Sequence, residues 1–136
     1  FEGQYRVHNI HDIKKGTQLN YVLDIAPDSF KDNKVIKTFS DAKLFFVNAV
    51  MGFTPHFNDG TIAMDSLIDQ NKDALKLYGG GDTLQELKQL LPGIYLSALD
   101  NPKYYMFTGG GAVLTAIEEG TPNGIPPIQE LLKNNN

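Results

Sequence analysis

YGGGDTLQEL (residues 78–87) puts three glycines, an acid and a hydroxyl directly in front of a stretch with helical spacing, and FTGGGAVLTAIEEG (residues 107–120) repeats the arrangement further along the chain. In each, a short apolar run enters the glycines and an amphipathic run leaves them, which predicts strand, tight turn and helix in that order. Strands that alternate with helices pair in parallel, so the two turns set the fold class as α/β, an open parallel sheet with helices on both faces.

The rest of the chain fits that alternation. Residues 21–25 (YVLDI) and 43–47 (KLFFV) are short apolar runs that read as buried parallel strands. Between them Pro27-Asp28-Ser29 opens a segment with Phe30, Val35, Ile36 and Phe39 at near-helical spacing, because proline fits a first helical turn and the acid suits its dipole. A helix is predicted over 61–73 after the cap candidates Asn58 and Asp59, a brief apolar element over 75–78, and a helix over 83–91 stopped by Pro92-Gly93. Residues 104–107 read as strand, 112–119 as a helix closed by Gly120, 126–133 as a last short helix, and Asn134-Asn135-Asn136 as a frayed tail.

At 136 residues the chain is about the size of one domain, and no apolar run approaches the roughly 20 residues of a membrane span. A net charge of −4 argues against a broad electrostatic grip on nucleic acid. There is no cysteine, hence no disulfide framework and no thiolate chemistry, and a cytoplasmic setting is compatible with that. The opening FEGQYRVHNIHDIKKG carries no secretory signal and reads as the middle of a longer protein.

In an open parallel sheet the ligand site lies past the carboxyl ends of the strands, where both glycine triplets fall. A helix start offers unpaired N–H groups and a partial positive charge, and glycine lets a phosphate come close to the backbone. Two such turns on neighbouring strands would cradle phosphates without many basic residues. Asp82 beside bound phosphates would repel them unless it held Mg²⁺, a hard cation commonly shared between a carboxylate and substrate oxygens. Thr83 could donate to a phosphate oxygen. The plainer reading makes each turn a tight connection with Asp82 as a helix cap. Neither turn is a Walker A loop or a GxGxxG motif. His8, His11 and His56 are too scattered for a metal site, Glu118-Glu119 reads as a solvated helix end, and Tyr104-Tyr105 as one core and one surface position of a strand.

LDIAPDS, VNAVMG, NDGT, GGGDT and FTGGGAVL, in this order, together with the GIPPIQELL tail, resemble the C-terminal third of phosphoglycerate kinase from about Val7 onward. The resemblance implies a doubly wound, Rossmann-like three-layer fold, here a partial domain, from a two-domain glycolytic kinase. It further implies phosphoryl transfer between 1,3-bisphosphoglycerate and ADP, giving 3-phosphoglycerate and ATP, by a cytoplasmic monomer that acts on neither nucleic acid nor membrane. By position, Asn48 matches an asparagine that contacts nucleotide phosphates, and Gly79, Gly80, Gly81, Asp82 and Thr83 match the nucleotide turn, with Asp82 the Mg²⁺ ligand. Gly81 and Gly111 match glycines whose amides face the transferring phosphoryl group. Thr108, Gly109, Gly110 and Gly111 match a hinge-sensitive phosphate turn.

Departures from the pattern cluster on one side. The family's WNGP is Val47-Asn48-Ala49-Val50 here, Pro55 aligns with the glutamate that grips the ribose, Val22 with a glycine on the adenine side, and Phe107 with a serine. Altered nucleoside contacts are therefore expected. The family's basic patch, catalytic lysine and arginine lie upstream of Phe1, so the chain alone is expected to have no kinase activity and to leave apolar sheet edge uncovered. Two other readings stay open: a divergent paralogue that binds a phosphorylated ligand without kinase chemistry, and an interaction domain whose glycine turns are structural.

Overall fold

Three apolar runs bounded by turn residues, Leu44–Val47 (β1), Leu75–Gly79 (β2) and Tyr104–Phe107 (β3), pair as a parallel sheet in the order β1-β2-β3 in the computed structural model of the chain, which describes residues 4–133. The register sets Phe45 beside Lys76 and Val47 beside Tyr78, and then Lys76 beside Tyr104 and Tyr78 beside Met106. Those six side chains share one face, because the strand period is two. The helices Asn33–Asp41 (α1), Asp59–Gln70 (α2), Gly81–Leu90 (α3) and Pro92–Leu99 (α4) precede or link the strands. The core forms on that face, where Val47, Tyr78 and Tyr104 meet Ile68 of α2, Leu87 of α3 and Ala98 of α4. Beyond β3 come Gly110–Glu119 (α5), a short 3-10 turn at Pro122–Gly124, and Pro126–Lys133 (α6), with α5 and α6 each packed against that turn. This is the open parallel α/β sheet of a partial Rossmann-like domain. The expected tail at Asn134-Asn135-Asn136 lies outside the described residues.

The core face is unusually polar. Lys76 is 1% exposed; its ammonium donates to the carbonyls of Asn71 and Ala74 (3.2 Å to the latter) and sits 4.9 Å from the centre of the Tyr104 ring. Asp65 and Asp69, one turn apart on α2, accept from Tyr78 (3.0 Å) and Tyr104 (2.7 Å) on adjacent strands. Burial pushes both phenols up and Lys76 down. Burial also works to raise Asp69, but hydrogen bonds from Lys72 and Tyr104 outweigh it and hold the carboxyl below its usual value.

Several sequence expectations are corrected. Residues 21–25 are no strand: Tyr21 and Val22 are exposed, and the segment meets the rest of the chain through Leu23 O, which accepts from Phe53 N–H (2.7 Å), and Asp24, which accepts from Gly60 N–H (3.0 Å). An apolar run makes a strand only where a neighbouring edge is there to pair with it, and among the described residues none pairs with this one. Pro27–Lys31 is a 3-10 turn, and α1 begins only at Asn33, where Asp32 caps it by accepting from Lys34 N–H (2.8 Å). The helix predicted over 61–73 runs over Asp59–Gln70, because Asn71 leaves it. Pro92 does not merely stop α3: as the first residue of α4 it opens another helix, with Leu91 closing one and starting the next. The opposite sheet face is not covered throughout, for Leu44 (54%) and Tyr105 (55%) are exposed there.

Asn71 holds the lower end together. Its amide donates to Phe39 O (2.9 Å), Ser40 O (3.1 Å) and Ala42 O (2.9 Å), the carbonyls left over at the end of α1, while its side-chain oxygen accepts from Ala74 N–H (3.0 Å). Asn71→Ala is expected to cost about 2–3 kcal/mol in urea unfolding, and Asn71→Asp, which sets a carboxylate oxygen against those three carbonyls, to cost at least as much.

Candidate functional site

The two glycine turns stand at neighbouring strand ends, and Asn48, the first residue after β1, joins them. Gly80 N–H donates to Phe107 O (3.0 Å), which carries the β2–β3 ladder one step past the strands and fixes the turns side by side. A Cβ on Gly79 or on Gly80 would lie 3.2 Å from the Asn48 side-chain oxygen, and one on Gly110 would overlap the Asn48 amide outright. Asn48 thus fills the space beside Gly110 and borders Gly80, while at Gly79 the Phe107 ring lies closer still, 2.7 Å from an added Cβ.

Each turn then opens a helix. Gly80, at φ +96°, precedes α3, and Leu84 is the first residue whose N–H finds a carbonyl below it, that of Gly80 (3.1 Å). Gly109, in the left-handed region at φ +80°, precedes α5 in the same way, with Ala112 N–H donating to Gly109 O (2.9 Å). Both conformations favour glycine. The N–H groups of residues 81–83 in α3 and 110–111 in α5 thus come before the first such bond of each helix, and glycines flank them. Gly81 and Gly111 face open space, with nothing within 4 Å of an added Cβ.

Asp82 is not the cap that the plainer reading needs. The cap position of α3 is Gly80, no side chain caps it, and Asp82 is exposed and forms no ion pair among the described residues. Thr83 is buried, its hydroxyl near the space beside Gly80, and Thr108 is exposed at the second turn. Among the described residues no group of three or more His, Asp or Glu side chains could hold a metal ion. A lone exposed carboxylate at a helix start fits Mg²⁺ that takes most of its ligands from phosphate and water, not an ion caged by protein.

The family profile described as Phosphoglycerate kinase matches residues 2–120. The chain belongs to the phosphoglycerate kinase family. It is 32% identical over 110 residues to "Phosphoglycerate kinase" of Limosilactobacillus reuteri, covering 79% of this chain and 25% of that protein. It is also 32% identical over 124 residues to that of Blochmanniella floridana (90% of this chain, 28% of that protein) and 29% identical over 109 residues to that of Thermus thermophilus (79% and 26%). The chain thus spans about a quarter of the length of these phosphoglycerate kinase relatives. No solved structure matches, and no helix among the described residues is long and apolar enough to cross a membrane.

Of the residues that depart from the family pattern, Val22 and Pro55 are exposed, Val50 is half-buried, and the Phe107 ring stacks on Phe46 at 6.4 Å. Sequence reasoning missed Asp24, whose carboxylate accepts from the N–H of Gly60 in the first turn of α2. LDIAPDS held that acid, but nothing local pairs it with a glycine 36 residues on. Gly110→Ala is expected to destabilise by about 1–3 kcal/mol through overlap with Asn48, and Gly111→Ala to be neutral in thermal melts. Adding Asn48→Ala to Gly110→Ala should recover part of the loss, a coupling that a double-mutant cycle reads directly.

Proposed function

We propose that the protein to which this chain belongs is a phosphoglycerate kinase that transfers a phosphoryl group between 1,3-bisphosphoglycerate and ADP, and that this chain supplies the Mg-nucleotide phosphate site. The observation that carries the reading is the convergence of two glycine-flanked helix starts on Asn48. The chain is then the C-terminal part of the nucleotide-binding domain, and the length it lacks against its relatives holds the phosphoglycerate domain. A cytoplasmic monomer working on soluble substrates agrees with this.

In this reading Asn48, Gly79, Gly80, Gly81, Asp82 and Thr83 hold the nucleotide phosphates, and Thr108, Gly109, Gly110 and Gly111 form the second wall. Phosphoryl transfer asks little covalent chemistry of the protein, and its charge is spread over oxygens that pre-aimed N–H groups stabilise without reorganising. Gly81 and Gly111 suit that task because no side chain screens their amides. Mg²⁺, bound through Asp82, would neutralise charge on the phosphates. The nucleoside side differs at Val22, Val50 and Pro55, and weaker or differently selective nucleoside contacts are the consequence.

That same alteration favours the second reading, a paralogue that binds a phosphorylated ligand or nucleotide without turnover. The family's lysine and arginine, present or missing in the remaining sequence, separate the two. Calorimetry on the complete protein should give Mg-dependent ADP and ATP binding that Asp82→Ala weakens at least tenfold, about 1.4 kcal/mol. Binding in neither protein would reject the nucleotide site. The 136-residue chain alone should show no turnover in a coupled assay.

A further inference from the structure

α2 also starts at the carboxyl end of the sheet, after the loop that follows β1, and a side chain from far back in the sequence fills its start. Ile62 N–H donates to Asn58 O (3.0 Å), so the N–H groups of residues 59–61 come before the first bond of this helix. Asp24 seats its carboxylate there: Oδ2 accepts from Gly60 N–H (3.0 Å), and Oδ1 from Ile25 N–H (2.7 Å). A carboxylate suits the positive end of a helix. Two glycines make the seat. An added Cβ on Gly60 would lie 2.2 Å from Asp24 Oδ1, and one on Gly52 would lie 3.0 Å from the Asp24 carboxyl carbon.

The seat ties together two segments that the sheet does not hold. Residues 21–25 form no strand, and Phe53 N–H donates to Leu23 O (2.7 Å) one residue before Asp24. The 51–57 loop is folded on itself, with Thr54 N–H donating to Gly52 O (3.1 Å) and Phe57 N–H to Phe53 O (3.1 Å). Met51 N–H donates to the Thr61 hydroxyl (3.1 Å), so both segments meet at the first turn of α2. Beyond residue 25, Pro27–Lys31 packs on α1 and α2, an anchor that does not depend on Asp24. The loop follows Asn48 closely, which sets the joint on the β1 side of the two glycine turns. Tyr21 and Val22 on one segment and Phe53 on the other are exposed, an apolar surface of the kind on which a flat ring rests.

We propose that Asp24 is a positioning residue for nucleotide binding: its carboxylate, seated between Gly52 and Gly60, holds residues 21–25 against the 51–57 loop as the wall that meets the nucleoside, while the glycine turns take the phosphates. The task of the wall rests on the function proposed above; the joint itself does not. Without the carboxylate, the Phe53 to Leu23 hydrogen bond is left to join two segments that no strand pairs among the described residues, and one such bond in water is a weak tether. The wall then stands for only part of the time, and the apparent affinity of a ligand that needs it falls by that fraction. The glycine turns are held by Asn48 and by the bond from Gly80 N–H to Phe107 O, neither of which involves Asp24, so the phosphate end keeps its shape.

The test is made on the complete protein, with Asp24→Ala, Asp24→Asn and Gly60→Ala beside the wild type. Gly60→Ala crowds the seat from its other side and keeps the carboxylate, so its effect does not come from lost charge. Without ligand, amide hydrogen exchange in Asp24→Ala is expected to speed up at Phe53 and Gly60 and to keep the wild-type rate at Gly80 and Leu84. Unchanged rates at Phe53 and Gly60 overturn the joint. Calorimetry then compares Mg-ADP with Mg-tripolyphosphate, which offers phosphates and no nucleoside. Asp24→Ala and Gly60→Ala should each raise the ADP dissociation constant about tenfold and leave that of tripolyphosphate within about twofold. The double variant should bind ADP no more weakly than either single one, and Asp24→Asn, with one acceptor oxygen left, should recover part of the loss. Equal weakening of both probes makes Asp24 a general support of the site and overturns the proposal, as does an ADP affinity that neither change moves. A wild type that binds neither probe rejects the nucleotide site and the wall with it, and the exchange rates then decide the joint alone.

Discussion

Everything at the carboxyl end of the sheet depends on one side chain packed where three backbones converge. Asn48 lies against Gly79, Gly80 and Gly110, and an added Cβ on any of them would crowd or overlap it. The contact dictates glycine on two different connections, keeps the ends of β1, β2 and β3 close, and points two helix starts at one region of solvent. Steric exclusion comes first here and anion attraction follows from it, because the N–H groups are bare only where the chain has given up side chains.

That arrangement shows how much a sequence of this kind discloses. YGGGDTLQEL and FTGGGAVL each name a strand end, a turn and a helix start by local rules, and β2, β3, α3 and α5 stand where those rules put them. The resemblance to phosphoglycerate kinase was legible from the same residues, being an ordered set of turns that tertiary packing cannot disguise. The role of Asn48 was not legible, for nothing local says that an asparagine after β1 will fill the space beside a glycine 62 positions away. Residues 21–25 failed for a related reason: alternation and β-branching make a segment competent to pair, and pairing needs an available edge.

The polar core face was hidden more deeply. Lys76 and Tyr78 lie in an apolar-looking strand, Asp65 falls on the buried stripe of α2 with Ile68 and Thr61, and Asp69 is half-buried beside it. A polar residue at a stripe position is the signal that could have exposed them, since such a side chain must find a partner across the core. Asp65 and Asp69, one helical turn apart on α2, meet tyrosines on two adjacent strands. These bonds set the height and rotation of α2 on the sheet more narrowly than apolar packing would.

The joint between α3 and α4 has mechanical meaning. Leu91, at φ −132° and ψ +59°, is the one residue between them, and the ring of Pro92 fixes the next φ. Two rods joined by so short an elbow behave as one bent lever. The exposed Leu96 and Leu99 lie on its outer arm, and the glycine end of α3 is about 15 Å from the elbow along the inner arm. A load applied to α4 reaches the turn at Gly80 as torque carried by rigid helix, with no relay of side chains in between.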